Sequence, residues 1–465
     1  MNAAAKFACL AISVGGACLA GCATADSAGA MAGLQAEVTG RGVARVAWPQ
    51  DAAASVEVER VVGGLLAAGL TPERAAQIAV LNNRHLRATL EDLGVSQADV
   101  IAAGRLPNPT LGASVRWPDR VPRGPDVEFS LGVDLLSAVL LPLRTKVARE
   151  QLAQTRHRVA AEVLTLAADA KAAVFTVQAA QQVRERLAVI VETNAAAAEL
   201  ARRQFDAGNI SQLDLVQQQV AWQQSKLEFA QTELVLRADC ERLTRLLGLF
   251  TAPAGGAISG ALPTLPSAEP TLGDVENLAV AQRLDLAAAA SQVTLAQAAL
   301  KLKRDTRLLP ATVSLGVDTE RNADGTHVTG PGLQLALPIF DQGQADLMRL
   351  EAGLRRAEAE VAARTADICS EAREARDQLL AARAAVELHE QSLLPQRQLI
   401  LREMLLHYNA GDKNSYEMLA AKEREQQAER AAIAALRDYW LARVALERAL
   451  GGRLPDLVTA APARP

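Results

Sequence analysis

Aromatic residues are scarce. Four Trp, three Tyr and seven Phe make up 3% of a 465-residue chain whose hydrophobic residues reach 50%. Compact globular interiors are close-packed with large side chains, and this chain has few rings to offer one. Charge of either sign is not in excess: 49 Lys and Arg against 53 Asp and Glu leave −4. That balance excludes a globally basic face for nucleic acid. No run reaches the ~18 apolar residues of a membrane-spanning helix, so any crossing of a bilayer must use strands. Signatures of catalysis are missing too. The histidines, His85, His157, His327, His389 and His407, form no i,i+4 pair. His389-Glu390 begins like a zinc-protease helix, but position 393 is Leu393. There is no C-x-x-C, no Gly-rich phosphate loop and no nucleophile elbow. The expectation is a protein that is not an enzyme, with no cofactor and no metal site.

What is abundant is alanine dotted with charged residues, which suits long, closely packed helices. The chain opens differently. Lys6 precedes the apolar run Phe7–Leu19, too short to span a bilayer and fitting a secretory signal of residues 1–21. Leu19-Ala20-Gly21-Cys22 resembles a bacterial lipobox, in which Cys22 becomes the lipidated first residue. Ala23 after it implies sorting to the outer membrane. The alternative is an ordinary signal cut near Ala20 that leaves Cys22 an incidental thiol. Residues 22–70 then form a lipidated N-terminal linker. Cys9 and Cys18 leave with the signal, and Cys240 and Cys369 remain. They form either one disulfide across helices or, the favoured reading, two buried thiols.

The chain is written twice. Phe205-Asp206-Ala207-Gly208 returns as Tyr408-Asn409-Ala410-Gly411, and Leu243, Arg245, Leu247 and Gly248 return as Leu446, Arg448, Leu450 and Gly451. Leu106-Pro107 meets Leu309-Pro310 at the same offset. This tandem duplication divides the chain into a first repeat, 71–270, a second repeat, 271–451, and a tail, 452–465. Each repeat predicts a helix (about Pro72–Gly104 or Gly273–Leu308), two strands, a very long helix (Leu143–Gln204 or Gln344–His407), a glycine turn and a shorter helix. Gly208, Gly248, Gly411 and Gly451 stand where helix C-caps belong. At 1.5 Å per residue, sixty-odd residues span roughly 90–100 Å, and the two shorter helices end to end match that. Leu227, Leu234, Leu436 and Val444 fall at seam spacing.

Strand periodicity appears in two places, about 111–136 and 312–338. Leu111, Ala113, Val115 and Trp117 alternate with Gly112, Ser114 and Arg116. Val127, Phe129, Leu131, Val133 and Leu135 alternate with Glu128, Ser130, Gly132 and Asp134. Val313, Leu315 and Val317, and then Leu333, Leu335 and Leu337, repeat the pattern. Apolar on one face and polar on the other at this length is the mark of a lipid-facing barrel strand. Four strands cannot close, and open edges cannot sit in lipid. Two copies would give eight strands with a filled interior; three would give twelve and a lumen. A small soluble sheet is the alternative, and the weak aromatic girdle, Trp117 and Phe129, keeps it open.

The order of helix, two strands, long helix, Gly turn and helix, repeated behind a lipobox, resembles the TolC-type outer-membrane factors of tripartite efflux and secretion systems. The resemblance rests on Ala79–Leu86, Asn108-Pro109, Leu337-Pro338-Ile339-Phe340-Asp341-Gln342-Gly343, Tyr408-Asn409-Ala410-Gly411, and Asp438-Tyr439 through Leu450-Gly451. It implies a mostly α fold with a transmembrane β-barrel contribution. The duplicated helical tunnel and four strands per chain would be completed to a 12-stranded barrel by a homotrimer. Leu135-Leu136-Ser137, Leu141-Pro142-Leu143-Arg144 and Phe340-Asp341-Gln342-Gly343-Gln344 are most similar to the lipoproteins of cation and heavy-metal efflux. The resemblance further implies a passive outer-membrane exit duct for metal cations or small toxic compounds. Its partners would be a periplasmic adaptor, an inner-membrane resistance-nodulation-division pump and outer-membrane lipid. Type I secretion or drug efflux is the alternative, and beyond it a structural coiled-coil or adaptor lipoprotein. The resemblance also implies a periplasmic gate at the helix reversals Gly208 and Gly411, with Asp214, Tyr408 and Lys413 bonding across neighbouring hairpins. Ordinary solvated turn residues would look the same.

Overall fold

The computed structural model describes residues 27–117, 119–120, 124–251, 258, 260–269, 272–310, 313–452 and 454. The expected signal, with Cys9 and Cys18, the lipobox with Cys22, and the tail beyond residue 454 lie outside them. The chain forms two compact units. One comprises residues up to 33, 92–152 and 297–351; the other comprises 34–91, 153–296 and residues from 352 on.

The first unit is built on one antiparallel sheet in the order β1 (Thr110–Arg116), β2 (Asp126–Asp134), β3 (Val313–Arg321) and β4 (His327–Leu335). β2 and β3 come from different repeats and pair over eight residues, from Val127 opposite Arg321 to Asp134 opposite Ser314. β1 and β4 are therefore both free edges. β2 runs without a connecting residue into α5 (Leu135–Asp206), a helix of 72 residues. It starts eight residues earlier than the pattern predicts, because Asp134 acts as a cap: its Oδ1 accepts the N–H groups of Leu136 and Ser137 at 3.0 and 3.2 Å. Four orphan N–H groups open every helix, and a carboxylate there satisfies them. The second repeat instead passes through 336–343 before α9 (Gln344–Leu388).

The helical unit includes a feature the sequence reading missed. The stretch 22–70, expected as a linker, carries α1 (Ser27–Thr39) and α2 (Ala52–Ala67). α1 buries Leu34 and Val38 completely, and its Glu37 pairs with Arg156 of α5 at 2.6 Å. Asp51 caps α2 by accepting the Ala54 N–H at 2.7 Å. The single helix expected from Pro72 to Gly104 is two, α3 (Pro72–Asn82) and α4 (Arg84–Ala103). Its counterpart is likewise broken into α7 (Val275–Gln282) and α8 (Leu284–Thr306). Asn83 and Arg283 sit at the breaks with extended backbone, ψ 126° and 122°.

α6 (Gln212–Leu247) ends at Gly248 with φ +68°, and α11 (Ser415–Ala449) is followed by Gly451 with φ +75°. Between α9 and α11 the second long helix is interrupted. A π-turn, His389–Leu393, closes with the Leu394 N–H bonded to the His389 carbonyl, and α10 (Leu394–Asn409) follows. Pro395 explains it: proline has no N–H for the regular ladder and crowds the preceding turn.

The two larger buried clusters each draw on one repeat, the first together with the helix that precedes it. One buried cluster joins α2, α3, α5 and α6, with Ile78, Val174, Leu243 and Leu247 among its members. The other joins α7, α9 and α11 through Val275, Ile368, Leu379, Tyr439 and Leu446. Among the described residues a small cluster of Phe175, Ala179, Leu262 and Val444 crosses from one repeat to the other, with Phe175 stacked on Trp440 at 5.1 Å. Ion pairs also link the repeats: Lys171 to Glu447 at 2.9 Å, Arg186 to Glu429 at 3.3 Å and Arg430 to Glu228 at 2.5 Å.

Candidate channel surfaces and helical tips

Register sorts the sheet into two faces, with Val328, opposite Glu320, the apolar exception on the polar one. Leu111 lies opposite Leu131, Leu131 opposite Val317, and Leu315 opposite Leu333. These apolar side chains are all exposed, Leu111 by 77% and Leu131 by 52%. Burying such a face removes roughly 25 cal/mol of cost per Å², and among the described residues nothing covers it. The apolar band ends toward the β3–β4 hairpin, where the Thr319 and Thr329 hydroxyls bond at 2.8 Å and Arg321 faces His327. The opposite face is polar, with Ser114, Glu128, Ser130 and Asp318. A row of small residues, Thr110, Gly132, Gly316 and Gly332, crosses all four strands. A Cβ at Gly316 would stand 2.8 Å from the Leu131 carbonyl oxygen, so the strands approach as closely as glycine allows.

In the helical unit, both long helices reverse at a glycine. Gly208 (φ +73°) closes a Schellman turn: its N–H bonds the Phe205 carbonyl at 2.9 Å, and the Asn209 N–H bonds that of Gln204 at 2.8 Å. Gly411 (φ +82°) repeats it with Tyr408 and His407. A capping box follows each turn. In the first, Asp214 accepts from the Ser211 N–H at 3.1 Å and Oγ–H at 2.6 Å. In the second, Glu417 accepts from the Asn414 N–H.

Each of the three gate candidates thus has a defined place in the single chain. Asp214 is half-buried and engaged in its own cap. Lys413 donates to Glu417 at 2.9 Å, and this hydrogen bond holds the Glu417 carboxyl below its ordinary range. Tyr408 is 39% exposed. Asp214 and Lys413 have local partners rather than each other. The residue joining the two tips is one that sequence reasoning passed over: the Tyr416 hydroxyl donates to Gln204 Oε1 at 2.7 Å. Burial, and then the nearby Asp214 charge, push the Tyr416 phenol up. Leu227 and Leu234, at seam spacing on α6, are exposed by 61% and 69%, so no helix among the described residues covers them. Cys240 and Cys369 are both free and half-buried, which settles that pair as two thiols. No helix among the described residues is long and apolar enough to cross a membrane.

A family model described as "Outer membrane efflux protein" matches this chain twice, over residues 75–249 and 275–452. The chain belongs to that family. The two matched segments coincide with the two repeats, each running from the first helix to the glycine after the last. Among curated relatives, the cobalt-zinc-cadmium resistance protein CzcC of Cupriavidus metallidurans is 27% identical over 393 residues, covering 82% of this chain and 90% of the relative. Among solved structures, the outer membrane protein VceC of Vibrio cholerae superposes with a TM-score of 0.65 at 17% identity, covering 85% of this chain and 96% of that one. The open state of the MtrE outer membrane channel of Neisseria gonorrhoeae gives 0.66 at 17%, covering 82% and 88%. The fold of this outer membrane efflux protein, mostly helical with a four-stranded sheet, is therefore shared with outer-membrane channels.

Proposed function

We propose that three copies of this efflux protein close their sheets into a 12-stranded barrel continued by a helical tunnel. The assembly would be a passive duct from periplasm to exterior. The observation that carries this reading is the sheet: one exposed apolar face, one polar face and two free edges. In lipid an unpaired edge costs several kcal/mol per orphan backbone group, so β1 and β4 must pair with neighbouring copies. The uncovered seam positions Leu227 and Leu234 fit the same neighbours. Transport energy would come from an inner-membrane resistance-nodulation-division pump reached through a periplasmic adaptor. The similarity to a cobalt-zinc-cadmium resistance protein supports divalent metal cations as substrates. Cys22 would add a lipid anchor. Asp214, Tyr408 and Lys413, around the reversals at Gly208 and Gly411, would narrow the periplasmic end. Exposed pairs contribute only ~0–1 kcal/mol each, so a partner could open such a closure readily.

The test sets the two sheet faces against each other. Leu131→Arg aims a charge at lipid and should cost roughly 2–4 kcal/mol near the midplane, abolishing detergent-stable trimers. Ser130→Arg points into the lumen and should assemble normally, with reduced conductance in planar bilayers. Equal loss of trimer in both variants, or a native protein that stays monomeric without detergent, would refute the duct.

A further inference from the structure

The faces of the sheet differ in charge as well as polarity. Along the four strands the polar face carries five carboxylates, Asp126, Glu128, Asp134, Asp318 and Glu320, and one cation, Arg116. Register places Glu128 directly opposite Glu320. Like charges at opposed positions on neighbouring strands destabilise the pairing. Arg116 relieves this arrangement from β1, on the other side of β2: its Nη2 donates to Glu128 Oε2 at 2.6 Å and lies 3.9 Å from Glu320 Oε1. The Ser114 hydroxyl donates to the same Glu128 oxygen at 3.1 Å. Arg116 is the last paired residue of β1, next to the β1–β2 hairpin. The rows immediately farther from that hairpin hold only short side chains, Gly112, Ser130 and Asp318, then Thr110 and three glycines. The long charged side chains of this face are thus gathered at its hairpin end.

We propose that Arg116 is a selectivity-setting residue of the outer mouth. It offsets one of two opposed glutamates and so fixes the potential that a charged solute meets there, leaving a surface that favours cations without holding them tightly. The assignment rests on the reading of the polar face as a lumen lining. The three side chains remain 63%, 37% and 39% exposed. Pairing at such exposure adds little stability, whereas a charged surface enclosed by low-dielectric walls focuses its field on passing ions. Three copies would set three such triads on one ring.

Local potential can be read by thiol chemistry. Ser130→Cys, made with Cys240→Ser and Cys369→Ser and reconstituted in liposomes, is treated at low salt with a cationic and an anionic methanethiosulfonate. The cationic reagent should react faster by about threefold or more. Adding Arg116→Gln should raise that ratio by a further factor of about two, and Glu128→Gln with Glu320→Gln should lower it toward one, Asp318 opposite position 130 keeping the face acidic. Leu131→Cys, on the apolar face, should react slowly with both reagents. Slow modification at Leu131→Cys combined with a ratio at Ser130→Cys that is the same in all backgrounds overturns the role of Arg116 alone. Fast modification at Leu131→Cys overturns the channel reading and this assignment with it.

Discussion

Asn83 and Arg283 occupy the same place in the two repeats, at the break in the helix that precedes the strands, yet they hold it differently. In the first repeat the break is secured by neutral amides. Asn82 donates to the Leu247 and Gly248 carbonyls at 2.9 and 3.0 Å, and Asn83 donates to that of Leu246 at 2.9 Å. These are orphan carbonyls at the end of α6, so the loop caps the helix it packs against. In the second repeat the same approach is made by charge. Arg283 lies 2.7 Å from Asp285 and also pairs with Glu371, while Gly451 comes against its backbone. A second contrast runs along the long helices: α5 is unbroken, whereas its counterpart is interrupted at His389–Leu393. Duplicated geometry therefore leaves the two hairpins with different means of support.

The most severe way to break this correspondence is to add a methyl group at the shared glycines. A Cβ on Gly248 would collide with the Asn82 carbonyl, and one on Gly451 would stand 2.9 Å from the Arg283 Cα. Both residues are also left-handed. Gly248→Ala should cost about 2–5 kcal/mol, and Gly451→Ala somewhat less, read as lowered midpoints in denaturant melts. Equal tolerance of alanine at both sites would show that the close approach is not needed.

A smaller effect separates neutral from ionic support. Burial alone would raise the Asp285 carboxyl, but hydrogen bonds and charge from Arg283 outweigh it and hold the group below its ordinary 3.8. A carboxyl depressed in the folded state contributes stability above its unfolded value and loses it as pH falls through the folded one. The second repeat should therefore weaken as pH drops below 3.8. Arg283→Met should cost about 1–3 kcal/mol at neutral pH and remove that acid-sensitive step. Asn83→Ala should cost about 1 kcal/mol and leave it in place. Trp440 fluorescence, followed against pH, distinguishes them.

The smallest expected change concerns stiffness. Pro395→Ala restores an N–H where the ladder skips, so the π-turn should regularise with a stability change within about 1 kcal/mol. Amide exchange over 389–399 should slow toward that of the matching region of α5. Unchanged exchange would assign the interruption to packing rather than to proline.

Periodicity made the strands, their faces and the long helices legible, because a sheet exposed on one side and a helix packed on one side each leave a fixed spacing. Gly208 and Gly411 could be placed in the same way, since a left-handed turn selects glycine. The breaks at Asn83 and Arg283 could not. The apolar spacing runs on through them without Pro or Gly, and the break is set by residues some 165 positions away, as in the Asn82 bond to Leu247. α1 and α2 were hidden by small, weakly patterned side chains, although Asp51 was a usable start signal. Pro395 is a signal for the π-turn that the long apolar spacing masks. At the tips, Asp214 was singled out for a bond across neighbours, while its strongest contacts in the chain are with Ser211, three residues away. Spacing alone cannot separate a capping carboxylate from a gating one.

The confinement of the two larger apolar clusters to separate halves has a consequence for how such a chain can change. Substitutions in the core of one half are answered largely within that half, because the two larger clusters of the described residues lie one in each half and a small one, Phe175, Ala179, Leu262 and Val444, carries buried apolar contact across. Ion pairs such as Arg430 with Glu228 tolerate exchange of their members more readily than packed side chains do. Descent can thus alter the chemistry of one hairpin while the other keeps its inherited interior, and the two copies drift apart in sequence without losing their common outline.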